Sequence, residues 1–294
     1  LRYEGTIYRP PSEAGSLLIQ ATIGCPHNKC TFCSLYKKTR FRVRAVEDIK
    51  EDLSTARDYY GPYVESVFFP DGNTIIMKTE QLEEIFRFTR ELFPELQRIT
   101  IYGSARYVNK KSLEDLKRLK EAGLTRIHMG MESGDDITLQ RVCKGVTAAE
   151  IIKAGQKLKE AGIEVSEYYM VGIGGKARWR EHAEGSARVL SAINPDFIRL
   201  RTFAPEYKTP IIAEIEAGTM QLLSPHEALR EIRVLIENLH CDGSMVVSDH
   251  ISNYWNINGL LPRDRDKMLA EIDRALQINE ARFRTPNMHH PRLD

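Results

Sequence analysis

The sequence predicts an α/β fold in which six βα units build a parallel sheet, with a mainly helical extension after them. Three observations carry this. From residue 16 onward short apolar runs alternate with stretches of helical period, glycines stand where helices should stop before strands, and the alternation ends after residue 204. Such a repeat fits a partial barrel or a doubly wound sheet, and periodicity by itself does not separate them. The expected organisation is an arm over 1–15, a body over 16–205 and an extension over 206–294 that closes the mouth of the strand bundle.

The first fifteen residues are polar and broken by Pro10 and Pro11, so they read as an arm laid over the body. Strands are expected over 16–23, 64–70, 98–103, 125–131, 163–172 and 197–203, the short apolar runs of that alternation. Between them the helical period predicts helices over 45–59, 78–93, 111–122, 147–161 and 178–192. Thr147 and Glu150 have the spacing of a capping box, and Gly123 and Gly162 sit where C-caps belong. Past residue 204, helices are expected over 209–218, 225–240 and 263–281, the second opened by Ser224, Pro225 and Glu227. Residues 243–250 read as an added strand, and the tail over 287–294 as ordered only where it docks.

At 294 residues the chain can bury a sizeable core as one domain. Forty-two basic against 41 acidic residues give a net charge of +1, which offers no global electrostatic case for nucleic acid. No run of about 18 apolar residues exists and the start lacks a charged-then-apolar signal pattern, so a soluble, cytoplasmic protein without a membrane partner is expected. The missing initiator Met reads as a trimmed start. Five cysteines, three of them clustered, suit a reducing compartment better than a disulfide framework.

That cluster is the most informative feature of the chain. Cys25, Cys30 and Cys33 are spaced C-x4-C-x2-C at the end of an apolar run, with Phe32 before the last. Structural zinc takes four Cys or His ligands, whereas a cubane iron-sulfur cluster can leave one iron without a protein ligand. A zinc site with His27 as fourth ligand stays open on these grounds. The motif resembles that of the radical S-adenosylmethionine (SAM) superfamily, with a first interval one residue longer than its usual C-x3-C-x2-C. The resemblance covers about residues 16–205 and implies a partial (β/α)6 TIM-like barrel. It further implies a 4Fe-4S cluster on the three cysteines, SAM chelated at the open iron, and a flavodoxin- or ferredoxin-type electron donor. The activity implied is reductive cleavage of SAM to a 5′-deoxyadenosyl radical that takes hydrogen from a small polar substrate.

Within a parallel barrel, reacting groups gather at the carboxyl ends of strands. By resemblance, Asp71, Gly72 and Asn73 after the second strand would receive the SAM ammonium, and Ser104 or Arg106 after the third would reach ribose or carboxylate. Similarity to the coproporphyrinogen-oxidase-like and methylthiotransferase-like branches puts Glu132 at the ribose and Lys144 at the cofactor carboxylate. Gly172 and Gly174 would let backbone approach adenine, with Tyr168 inside the barrel. Arg199 and Arg201 lie on the face opposite Ile198 and Leu200, and Arg201 is a candidate for an anionic substrate. His250, Asn253 and Tyr254 belong to a polar stretch suited to a substrate lid. Cys143 and Cys241 read as buried small apolar residues, with Cys241 kept beside Tyr168 and His250 as a candidate catalytic group. The basic run from Lys37 to Arg44 reads as an exposed edge. Two rivals remain at this level: tetrapyrrole oxidative decarboxylation or a non-catalytic haem-binding relative, and a metal-binding module without catalysis.

Overall fold

The computed structural model describes residues 1–206 and 208–284, so the tail over 287–294 lies outside it. Its strands are β1 (Leu17–Leu18), β2 (Thr22–Ile23), β3 (Arg42–Val43), β4 (Ser66–Phe69), β5 (Arg98–Gly103), β6 (Leu124–Glu132), β7 (Glu164–Val171), β8 (Phe197–Thr202), β9 (Met245–Val247) and β10 (Gly259–Leu260). Eight form one sheet in the order β1-β4-β5-β6-β7-β8-β9-β10, and β2 pairs with β3 apart from it. The pairs β1/β4, β4/β5, β5/β6, β7/β8 and β8/β9 are parallel, and β9/β10 is antiparallel. The architecture is thus α/β and mainly parallel.

Contacts group the chain into two compact units, Leu1–Asn28 with Leu35–Met129 and Lys153–Val165, and Lys29–Ser34 with Gly130–Ile152 and Ser166–Asp294. The first unit holds helices α1 (Val46–Tyr60), α2 (Thr79–Leu92), α3 (Ala105–Val108) and α4 (Leu113–Ala122). On α2, Leu82, Ile85 and Phe86 are fully buried at i, i+3 and i+4 spacing, the stripe a sheet-covering helix requires. Phe86 meets Phe69 of β4 at 5.5 Å between ring centroids. Each such side chain contributes about 1.5–3 kcal/mol by burial. The N-terminal arm is anchored by its own polar groups: Glu13 is fully buried and bonds His128 Nε2 at 3.1 Å, while Tyr3 donates to the Leu18 carbonyl at 2.7 Å.

Helices α5 (Asp136–Arg141), α7 (Gly175–Ile193), α8 (Ile211–Glu216), α9 (Pro225–Asn238) and α10 (Arg265–Leu276) lie in the second unit, and α6 (Ala148–Glu160) runs through both groupings. Both expected capping boxes form: Glu150 N donates to Thr147 Oγ1 at 3.2 Å, and Ser224 pairs reciprocally with Glu227 behind Pro225. α9 buries Leu229, Ile232, Leu235 and Ile236, and packs on α7 and α10. Gly134, in the turn after β6, and Gly185 of α7 meet backbone to backbone. A Cβ on Gly134 would stand 2.4 Å from the Gly185 carbonyl oxygen, and one on Gly185 would stand 2.8 Å from that of Gly134.

Several expectations change. The strand over 16–23 is two pieces, because the chain leaves β1, commits the Gln20 side chain to Glu4 and Asp71, and then turns to pair with β3. The basic run is an exposed edge at Arg42 and Val43, but Arg44 is buried between the Gln20 carbonyl and Asp52. α7 starts at Gly175 rather than 178 and kinks at Arg178, whose guanidinium makes two 2.9 Å bonds to Asp135. The C-terminal segment adds β9 and β10 to the sheet and packs α9 on α7, so it extends both the sheet and the helical layer. Neither α3 nor β10 was expected; four residues and two residues are too short to show a period. No described helix is long and apolar enough to cross a membrane.

Candidate active site

In the first unit the cysteine loop is gripped by the turn after β4. Asp71 is buried, and its carboxylate accepts from Gln20 Nε2 at 2.8 Å, Gly24 N at 3.0 Å and the Tyr36 hydroxyl at 3.2 Å. Burial raises its pKa, and those three donors act the other way. Gly72 donates its N–H to the Gly24 carbonyl at 3.0 Å. A Cβ there would fall 2.7 Å from Cys25 Cβ, so only glycine lets the two backbones come this close. Asn73 is buried with Nδ2 3.9 Å from Cys25 Sγ, and its Oδ1 has no hydrogen-bond partner among the described residues. An orphaned acceptor beside a ligand thiol suits a site that receives a cationic group. Ser104 is half-buried at the start of α3 and Arg106 is exposed on it.

In the second unit the Cys30–Cys33 turn is tied down by backbone. Thr31 N donates to the Val142 carbonyl at 3.0 Å, and Ile211 N donates to that of Thr31 at 3.1 Å. Phe32 packs on the buried cluster of Val142, Ile173, Phe203, Ile211 and Met220. Since Ile173 lies between Gly172 and Gly174, this one cluster seats both the cysteine turn and the glycine turn after β7. Lys144 Nζ stands 3.0 Å from Glu132 Oε1 and 5.9 Å from the centre of the Phe32 ring. Glu132 leaves β6 with φ +62°, a left-handed conformation that turns the chain sharply at the strand end.

The glycine turn has an elaborate support that sequence reasoning missed. Glu231 Oε1 accepts from Gly172 N at 2.8 Å and from the Tyr169 hydroxyl at 2.7 Å, and burial pushes its carboxyl up to about 8. Tyr169 stacks on His182 at 4.6 Å between ring centroids. His182 Nε2 faces the Met170 carbonyl at 3.1 Å and so carries the proton, leaving Nδ1 to accept from the Ser133 hydroxyl at 2.8 Å. Burial pushes this imidazole down to about 4, so it is neutral at ordinary pH. Glu167 on β7 is also fully buried; burial drives its pKa well above the carboxylate range, and Lys144 acts against that. Neither acid carries a sequence signal: Glu231 stands among Arg230 and Arg233 and Glu167 follows Glu164 and Ser166, as solvent-facing acids would.

Other sequence-stretch candidates separate into those near strand ends and those elsewhere. Tyr168 is buried on the face of β7 opposite Tyr169. Asn253 is not available to a substrate: its Oδ1 accepts from Thr202 N and Oγ1, and its Nδ2 donates to the Leu200 and Ser248 carbonyls, all at 2.8–3.0 Å. It pins its loop across the end of β8. His250 accepts at Nδ1 within its own turn, from Ser252 N at 3.1 Å. Tyr254 lines a cavity of about 220 Å³ with Gly172, Thr202, Phe203 and Leu223, and burial raises its phenol pKa. Cys241 is buried as expected, but it donates to the Leu190 carbonyl at 3.6 Å, near the end of α7 that precedes β8, away from the strands' carboxyl ends. Cys143 is exposed, contrary to the expectation, because it occupies a positive-φ turn after α5.

Residues 19–183 match the radical SAM superfamily. The chain belongs to that superfamily. As a radical SAM enzyme it uses a 4Fe-4S cluster and SAM. It is 26% identical over 190 residues to an uncharacterised methyltransferase of Pyrococcus horikoshii, covering 64% of this chain and 39% of that protein. An uncharacterised protein of Methanocaldococcus jannaschii is 25% identical over 281 residues, covering 92% of this chain and 79% of the relative. Among solved structures, methylornithine synthase superposes with a TM-score of 0.54 at 18% identity, covering 90% of this chain and 83% of that one. The sheet is therefore the partial-barrel fold of radical SAM structures.

The donor set suits the cluster this superfamily carries. All three thiols are free of disulfides and partly accessible, and they share one loop without regular structure. Among the described residues no three Cys, His, Asp or Glu side chains are gathered as a metal site.

Proposed function

We propose that this chain cleaves SAM reductively at a 4Fe-4S cluster held by Cys25, Cys30 and Cys33, and that the radical so made abstracts hydrogen from a small polar substrate. The observation that carries the reading is the clamp on the cysteine loop. Asp71, Gly72 and Asn73, at the carboxyl end of β4, hold the backbone at Gly24 and Cys25 with no room for another side chain. The cluster and SAM supply the electron transfer and the radical chemistry.

The chain's own part is placement and exclusion. Asn73 presents its buried Oδ1 beside Cys25, an acceptor for the SAM ammonium. Glu132 offers the ribose an acceptor that Lys144 holds in place, and Lys144 supplies a cation for the cofactor carboxylate. The Gly172–Gly174 turn presents backbone to the adenine, braced from behind by Glu231. A flavodoxin- or ferredoxin-type donor would deliver the electron.

Anaerobic reconstitution tests this directly. The expected product is a brown protein with about four irons per chain that yields 5′-deoxyadenosine from SAM under strong reductant. Cys30→Ala should lose both iron and product. A colourless chain holding one tight zinc, or undiminished product from the variant, would refute it.

A further inference from the structure

The two faces of β7 and β8 differ in what covers them. Tyr169, Ile198 and Leu200 point to the helical layer, where the Tyr169 hydroxyl reaches Glu231 of α9. Ser166, Tyr168 and Met170 share the other face with Arg199 and Arg201, which register beside Tyr168 and Met170. Both guanidiniums are therefore held on the inward face of one strand, two residues apart on β8.

Neither has a counter-ion among the described residues. Arg199 is only 6% exposed, yet its bonding partner is the neutral Ser166 hydroxyl, at 2.9 Å from Nε, with the Phe197 ring 5.3 Å away. Arg201 has its Nε buried without a hydrogen-bond partner. No carboxylate among the described residues forms an ion pair with either. A buried charge is normally paired, because its lost hydration is otherwise uncompensated. Elsewhere this chain follows that rule: Arg44 is as deeply buried and pairs with Asp52. Two adjacent inward cations without acids mark a place where the compensating charge arrives with a ligand.

We propose that Arg199 and Arg201 bind the oxyanion group of the substrate, a carboxylate or a phosphate, so that the substrate of this enzyme is a small anion. The assignment deepens the proposed function and rests on it for the word substrate. Guanidinium forks suit either group, since both present coplanar or tetrahedral oxygens to parallel N–H donors.

The test is a thermal-shift and calorimetric titration of the full chain, with malonate in one arm and inorganic phosphate in the other, at constant ionic strength held with chloride. The wild type should be stabilised saturably by at least one of them, and the arm that acts names the group. Arg201→Gln and Arg199→Gln should each weaken that binding by about 10- to 100-fold. Arg201→Lys should weaken it less, because charge remains while the fork is lost. Without added anion, the Gln variants should melt no lower than the wild type, since each removes an uncompensated charge. Equal anion response in wild type and variants would overturn the proposal, and so would a large drop in anion-free melting temperature, which marks the guanidinium as a structural brace. The titration involves no SAM cleavage. A chain that releases no 5′-deoxyadenosine would sink the proposed function, and the arginine site would still be judged on the titration.

Discussion

Oε1 of Glu231 accepts the backbone N–H of Gly172 at 2.8 Å, joining α9 to the turn that follows β7. The same oxygen takes the Tyr169 hydroxyl, and the Oε2 atom is buried without a partner among the described residues. Burial pushes the carboxyl up to about 8 from its ordinary 4.5, so the folded chain keeps a proton that the unfolded chain releases. Stability should fall as pH rises from about 4.5 to about 8, by on the order of 3–5 kcal/mol if nothing else titrates. Glu231→Gln keeps the acceptor and should flatten that decline in a series of denaturant melts. Glu231→Ala should lose about 1–3 kcal/mol near pH 4.5, where the carboxyl is protonated, and that deficit against the wild type should shrink as pH rises toward 8.

Glu13 predicts the opposite limb. Burial alone would raise its carboxyl, but bonds from His128 and Ser16 and the charge of Arg98 hold it at about 2. The stability it contributes is present above about pH 4.5 and is lost as pH falls toward 2, about 3 kcal/mol in all. Acid titration of Glu13→Gln beside the wild type should show a shallower fall below pH 4.5; matching curves would remove the effect.

Gly72→Ala would put a methyl 2.7 Å from Cys25 Cβ. The turn and the cysteine loop must then separate, at a cost of about 1–3 kcal/mol. Iron per chain after reconstitution should drop by half or more, while far-ultraviolet circular dichroism stays near that of the wild type. Full iron loading would show that the close approach is dispensable.

Glu132 and Lys144 should behave as a coupled pair in binding. Each is largely buried, so Glu132→Ala should weaken SAM by about 1–3 kcal/mol and Lys144→Met by a similar amount. The double variant should cost less than the sum, as isothermal titration under anaerobic conditions would reveal. Strict additivity would mean that the two do not act on one ligand.

Much of this architecture was legible, and the reasons are physical. Runs such as 98–103 are uninterrupted and buried on both faces, so β5 coincides with its expected span. Capping chemistry placed the starts of α6 and α9 because the Thr147 and Ser224 hydroxyls accept the N–H of an acid three residues on, a pattern contained in four residues. What escaped depends on contacts distant in sequence. In β7, Glu167 alternates like a solvent-facing acid yet is fully buried, and the reach of Glu231 across to Gly172 spans 59 positions. Asn253 looked like a substrate ligand because its stretch is polar, whereas those polar groups satisfy the backbone at the end of β8. Cys143 looked buried by residue type, and a positive-φ turn put it outside.

The meeting of Gly134 and Gly185 bears on how such a chain can change over generations. Each lacks a side chain for the sake of the other's carbonyl, so a larger residue at either position collides with main chain rather than with something a second substitution could trim. No order of single replacements relieves that collision, and lineages of this fold should inherit the two positions together or lose the contact by moving the helix.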